Sequence, residues 1–182
     1  MNKIQRVSLF FRVLFQIGFI VIPVFTAVCW IYAPQPLHLA IFTIDTIPQG
    51  YPILAPFTPT TRILGFLITL LPATVEMLVL YFLIKLFQLY ERGEIFMLEN
   101  VRYLRNIGYI LLIGQLINPI YDGLITANIT WRNHFIKKGT SIAAVTFDGT
   151  NISFILMALL VILISWIMAE GGKLREEQQL TI

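Results

Sequence analysis

Four stretches of this chain stay apolar for about 20 residues, long enough for each to cross the roughly 30 Å hydrocarbon layer of a bilayer as a helix. They run from about Val13 to Tyr32, Ile63 to Phe87, Ile107 to Ile129 and Ile152 to Ala169. None alternates strictly between apolar and polar residues as a barrel strand would, and a helix satisfies its own backbone amides inside lipid. The pattern predicts an all-α integral membrane protein, a four-transmembrane-helix bundle forming one domain over residues 1–182. Composition agrees. Hydrophobic residues make up 57% and charged residues 13%, against about 45–50% and about 25% in soluble domains, and mean hydropathy is +0.79. An ordinary water-soluble globule is excluded. Cys29 is the one cysteine, so a disulfide-stapled module and a Cys-rich metal site are excluded too.

Lys3 and Arg6 before the first apolar run resemble the start of a signal peptide. That run exceeds the usual h-region of about 7–15 residues, and no A-x-A cleavage pattern follows it. Val28 before Cys29 is larger than a lipoprotein cleavage site wants, so the first span reads as an uncleaved helix. Orientation follows from Lys and Arg, because basic loops resist translocation. Nine basic residues fall on the side of the N-terminus, the Gln88–Asn106 loop and the tail, and four on the other: Arg62, Arg132, Lys137 and Lys138. Both termini are therefore expected in the cytoplasm.

The outer segment Ala33–Arg62 holds six of the nine prolines, a density that forbids a continuous helix. Within it Leu37–Ile44 reads as a short strand, and Ser141–Phe147 in loop 3, followed by the turn signal Asp148-Gly149, reads as another. Pairing of the two predicts a small extracytoplasmic β cap formed from loops 1 and 3. Gly93 suits the stop of span two. From Leu98, Val101, Leu104 and Ile107 recur at helical spacing, predicting an amphipathic start to helix three with Arg102 and Arg105 at the headgroups. The GGKLREEQQLTI tail is expected to prolong helix four as far as its two glycines allow. Arg92, Arg102, Arg105, Lys173 and Arg175 are the candidate cytoplasmic interface.

Ionisable groups within spans cost about 2.5–3.5 kcal/mol each at a helix centre, so each needs a reason. At 1.5 Å per residue, Glu76 lies about 20 Å from the outer edge, Gln115 about 21 Å, Asn118 about 16 Å and Asp122 about 10 Å. Two readings follow. Hydrogen bonds from Glu76 to Gln115 or Asn118 would fix the packing of helices two and three. Alternatively, Glu76 and Asp122 would form a proton- or cation-handling path. Pro23, Pro72 and Pro119 interrupt three of the spans, but there is no GxxxG and no internal repeat of the kind inverted-repeat transporters carry.

No nucleotide-binding fingerprint or Walker motif occurs. His38 and His134, one in each outer loop, have no ligand spacing around them, and Ser8, Ser141, Ser153 and Ser165 have no base nearby in sequence. No enzyme activity, cofactor, metal or direct nucleic-acid binding is expected. The strings RGEIFMLENVRYLRNIGYILL (Arg92–Leu112), QLINPIYD (Gln115–Asp122) and IMAEGGKLREEQQLTI at the C-terminus resemble a family of small bacterial four-helix membrane proteins, domain of unknown function 2975. The likeness covers roughly Glu76 onward. It implies no site residues. It does imply a neighbouring gene for a small helix-turn-helix regulator, hence a membrane sensor or tether with lipids and a cytosolic DNA-binding regulator as partners. A small transporter using the intramembrane carboxylates is the alternative, and the oligomeric state is left open.

Overall fold

The computed structural model describes residues 3–33, 37–39, 42–44, 57–93, 97–134 and 152–180, all of them to the side chain except 37–39, 42–44, 132–134 and 174–180. Four helices dominate: α1 (Lys3–Tyr32), α2 (Pro59–Glu91), α3 (Leu98–His134) and α4 (Ile152–Leu180). All four are long and apolar enough to cross a membrane. Each expected span lies inside one helix, and each helix overruns it. With 29 to 37 residues apiece, they measure about 44–56 Å at 1.5 Å per residue. The overrun has a simple cause: once a helix is nucleated, each further residue adds a backbone hydrogen bond at little cost.

Local chemistry sets the ends of α2. The Thr58 hydroxyl accepts the Thr61 amide at 3.3 Å, with Pro59 at the first helical position, an arrangement that satisfies one otherwise unpaired donor. At the far end the Gly93 amide donates to the Tyr90 carbonyl. Gly93 itself has φ 84°, the left-handed stop expected there. Pro23, Pro72 and Pro119 lie within α1, α2 and α3 without ending them. Gly171 and Gly172 do not end α4 either, which runs on to Leu180. A glycine costs a helix only about 1 kcal/mol relative to alanine.

The β cap joining loops 1 and 3 is not supported. The described strands, β1 (Leu37–Leu39) and β2 (Phe42–Ile44), pair with each other, antiparallel, in the register Leu37↔Ile44, His38↔Thr43 and Leu39↔Phe42. What reads as one strand is therefore a hairpin within loop 1. Closing so short a connection costs far less chain entropy than recruiting a segment two helices further along. Ser141–Phe147 and Asp148-Gly149 lie outside the described residues, as do the side chains of His38 and His134.

The chain forms two compact units, Met1–Ile20 with Val75–Gln115 and Asn151–Ile182, and Val21–Thr74 with Leu116–Thr150. In the first, Phe11 and Phe15 of α1 meet Phe87 of α2 at ring-centroid distances of 5.4 and 5.5 Å. Phe82 of α2 meets Tyr103 of α3 at 5.9 Å. A Cβ on Gly108 would overlap the Ile162 side chain, so α3 and α4 approach closely there. Arg12 and Glu91 form an ion pair at 2.7 Å. The second unit has a core of Trp30, Ala33, Phe57, Ile125 and Ile129, with Phe66, Ile68 and Tyr121 packed on it.

Large apolar side chains are exposed along the helices as well as buried in the core. Ile20, Leu116 and Ile167 are exposed, while Thr126, Ser165 and Gln115 are buried. Small and polar side chains facing inward with large apolar ones facing outward are what lipid as solvent selects. The chain has the character of a multi-pass membrane protein.

Candidate functional site

Within the second unit, three helices meet at a single hydroxyl. Trp30, near the end of α1, is 2% exposed, and its Nε1–H donates to Thr69 Oγ1 at 3.0 Å. Thr69 Oγ1 in turn donates to the Gly65 carbonyl at 2.9 Å. The Tyr121 side chain on α3 is its third hydrogen-bond partner. A hydroxyl has one proton and two acceptor positions. With the Thr69 proton given to Gly65, the hydroxyl accepts from the Trp30 indole. The group ties α1 to α2, with Tyr121 of α3 beside it.

This packing requires a glycine at position 65, because a Cβ there would overlap the Trp30 ring. On its other side the indole stacks on Phe57 with centroids 6.3 Å apart. One turn toward the start of α2, the Thr61 carbonyl accepts Asn128 Nδ2 of α3 at 3.1 Å. Beside it, Arg62 Nη1 donates to the Ile31 carbonyl at 2.8 Å. That carbonyl belongs to the last turn of α1, where helix acceptors lack intrahelical donors and a cation complements the helix dipole.

These contacts leave a groove of about 340 Å³ between the last turn of α1 and the first turns of α2, lined by Ala27, Trp30, Ile31, Pro59, Arg62, Ile63 and Phe66. Six of the seven are apolar. Among the described lining residues Arg62 brings the only charge, and its Nε is buried without a hydrogen-bond partner among them. Such a site suits an apolar body with an anionic end.

The residues singled out from sequence lie elsewhere. Glu76 is exposed on α2, one turn from buried Ala73 and one turn from Leu80, which faces Gly18 of α1. Gln115 on α3 is buried and belongs to the same unit as Glu76; Asn118 and Asp122 are half-buried in the other. Arg92 and Arg102 are exposed, and Arg105 is half-buried. Lys173 pairs with Glu170 at 3.3 Å on the exposed surface of α4. Arg175 lies in α4, with its side chain outside the described set.

Sequence reasoning passed over Trp30, Gly65, Thr69 and the Arg12–Glu91 pair. A signal did exist: a glycine four residues before a threonine in an apolar run marks a close approach, and an indole needs an acceptor when buried. Choosing Trp30 as the partner, however, requires knowing which helix faces meet.

No curated protein and no solved structure matches the chain. A family described as protein of unknown function, DUF2975, matches residues 19–182. That stretch takes in the last 14 residues of α1, the proline-rich segment and the remaining three helices, well beyond the part that carries the resemblance in sequence. The chain belongs to this family.

Proposed function

We propose that the chain is a non-enzymatic bacterial inner-membrane protein with both termini in the cytoplasm, acting as a sensor or tether for a cytosolic helix-turn-helix transcription regulator. The observation that supports this reading best is the extension of α4. The apolar run of α4 ends at Ala169, yet the helix continues to Leu180 through the polar sequence EGGKLREEQQL. A polar helix extending past the apolar run, on the side to which the charge bias also assigns the exposed Arg92 and Arg102, offers a surface for a soluble partner. Four membrane-spanning helices also bring both termini to one side, which the charge bias assigns to the cytoplasm.

The test is affinity purification of the tagged full chain against a variant ending at Lys173. The reading expects a helix-turn-helix protein to be enriched with the full chain and lost on truncation. An identical set of captured proteins from both would refute it.

A second reading, a small transporter, draws on one observation. Glu76 is exposed although its helical neighbour Ala73 is buried and Leu80 faces Gly18 of α1, and an uncovered carboxyl at mid-span is costly unless it serves a path. Reconstituted flux that disappears in Glu76→Gln would favour that reading. Undetectable flux together with altered stability would leave Glu76 a packing residue.

A further inference from the structure

The groove between α1 and α2 is chemically lopsided along its length. At its mouth stands Arg62, on the first turn of α2 beside the last turn of α1. Phe66 lies one turn further in, about 6 Å along the helix. The walls are apolar throughout. Trp30 contributes to the lining, but its N–H is already spent on Thr69, so it offers the groove only a ring surface. Ile31 and Ile63 are 61% and 60% exposed, so the groove opens outward, where a membrane helix meets lipid.

We infer that this groove binds an anionic phospholipid, its phosphate on Arg62 and the upper part of one acyl chain along Ile31, Ile63 and Phe66. Charge complementarity selects the occupant. The guanidinium has Nη1 committed to the Ile31 carbonyl and Nε without a partner among the described residues. Among the described residues no acid lines the groove, so the positive charge is uncompensated by them. Arginine's planar fork matches a phosphate's oxygens. Position agrees as well: Arg62 sits at the helix end, at headgroup depth, with apolar wall running from it toward the membrane centre.

Size sets the stoichiometry and the extent. Ligand pockets span about 300–1,000 Å³, and about 340 Å³ takes part of one chain, leaving the rest of the lipid in the bilayer. One lipid per chain is expected. The inference goes beyond the tether reading and does not depend on it, because it is read from lipid bound to the purified chain with no regulator present.

The experiment is native mass spectrometry of the full chain in detergent, titrated separately with phosphatidylglycerol, phosphatidylcholine and inorganic phosphate. Phosphatidylglycerol is expected to bind one to one and at least about tenfold more tightly than phosphatidylcholine. Inorganic phosphate should neither bind nor displace the lipid. Arg62→Gln should weaken phosphatidylglycerol by about tenfold or more. Because that change also breaks the bond to Ile31, Ile63→Trp is the second variant: it keeps Arg62, fills the groove from an exposed position and should weaken the lipid comparably.

Equal binding of the two lipids would overturn the inference, as would undiminished phosphatidylglycerol binding in Ile63→Trp. Displacement by phosphate alone would reveal a free-anion site instead. A photoreactive side chain at position 63 that labels residues 45–56 rather than lipid would show that the chain covers its own groove.

Discussion

Replacing Gly65 with alanine adds one methyl group, and two opposing terms decide its effect. Alanine is favoured over glycine in a helix interior by about 1 kcal/mol. Against that gain, the new Cβ would overlap the six-membered ring of Trp30. The indole cannot swing aside freely, being 2% exposed, bonded through Nε1 to Thr69 and stacked on Phe57. Moving it gives up a hydrogen bond worth about 0.5–1.5 kcal/mol as well as packing. Overfilling a well-packed site costs about 1–3 kcal/mol, so the net expectation is a loss of about 1–2 kcal/mol. At about 2–4 °C per kcal/mol for a chain of this size, thermal unfolding in detergent, followed by far-UV circular dichroism, should shift down by about 2–8 °C. A double-mutant cycle sharpens the test. Trp30→Phe alone loses the N–H bond, but in the Gly65→Ala background it also makes room for the methyl. The double variant should therefore be less damaged than the two losses added, by about 1 kcal/mol. Unfolding of Gly65→Ala at or above the wild-type temperature, or strict additivity in the cycle, would refute the reasoning.

Four further outcomes are expected from the same unfolding measurement and from topology reporters. Arg12→Gln and Glu91→Gln should each cost about 0.5–1 kcal/mol, the range for a partly solvated ion pair, and the double variant should cost less than their sum. Thr58→Ala should destabilise by about 1 kcal/mol through loss of the N-cap of α2, with Thr58→Ser restoring most of it. Gly93→Ala meets nothing within 4 Å, so its only penalty is the left-handed backbone, about 1–2 kcal/mol. Reporters fused at Met1 and at Ile182 should give signals from the same side of the membrane; opposite signals would refute a four-span reading.

The helices were legible in the sequence because an apolar run longer than the bilayer is thick admits few other outcomes. Their ends were less so. Gly93 marked one correctly, since a positive φ is a property of the residue itself. Gly171 and Gly172 did not end α4, because the penalty they impose is smaller than a boundary requires. The strand over Leu37–Ile44 was right in type and wrong in count, since nothing in LHLAIFTI distinguishes one strand from two short ones turning back. The polar residues of the candidate site were hardest to see. Thr69, Thr61 and Asn128 are unremarkable in an apolar helix; they become informative only once Trp30 is known to face Thr69 and Asn128 to face Thr61. Depth counting placed Glu76 and Gln115 at one level, but level alone does not fix the face of a helix.

Arg62 shows how two demands on one residue can be separated. In the charge tally it is a dissenter, one of four basic residues on the sparsely charged side. Its position answers to a local need instead: the last turn of α1 leaves carbonyls without helical donors, and Arg62 Nη1 reaches the one at Ile31 at 2.8 Å. If that bond rather than the charge accounts for the residue, Arg62→Lys and Arg62→Gln should part company from the topology data. Both variants should keep the wild-type reporter pattern, since nine basic residues still oppose three or four. Arg62→Gln should lose about 1–2 kcal/mol, the lower part of the range for a hydrogen bond to a charged group, because the site is open on one side. Arg62→Lys keeps a cation near the end of α1 and should recover part of that loss through the dipole alone, about 0.3–1 kcal/mol. Equal stability of all three proteins, measured at matched detergent and salt, would mean that the Ile31 carbonyl finds its donor in water and that the guanidinium contributes nothing to holding α1 against α2.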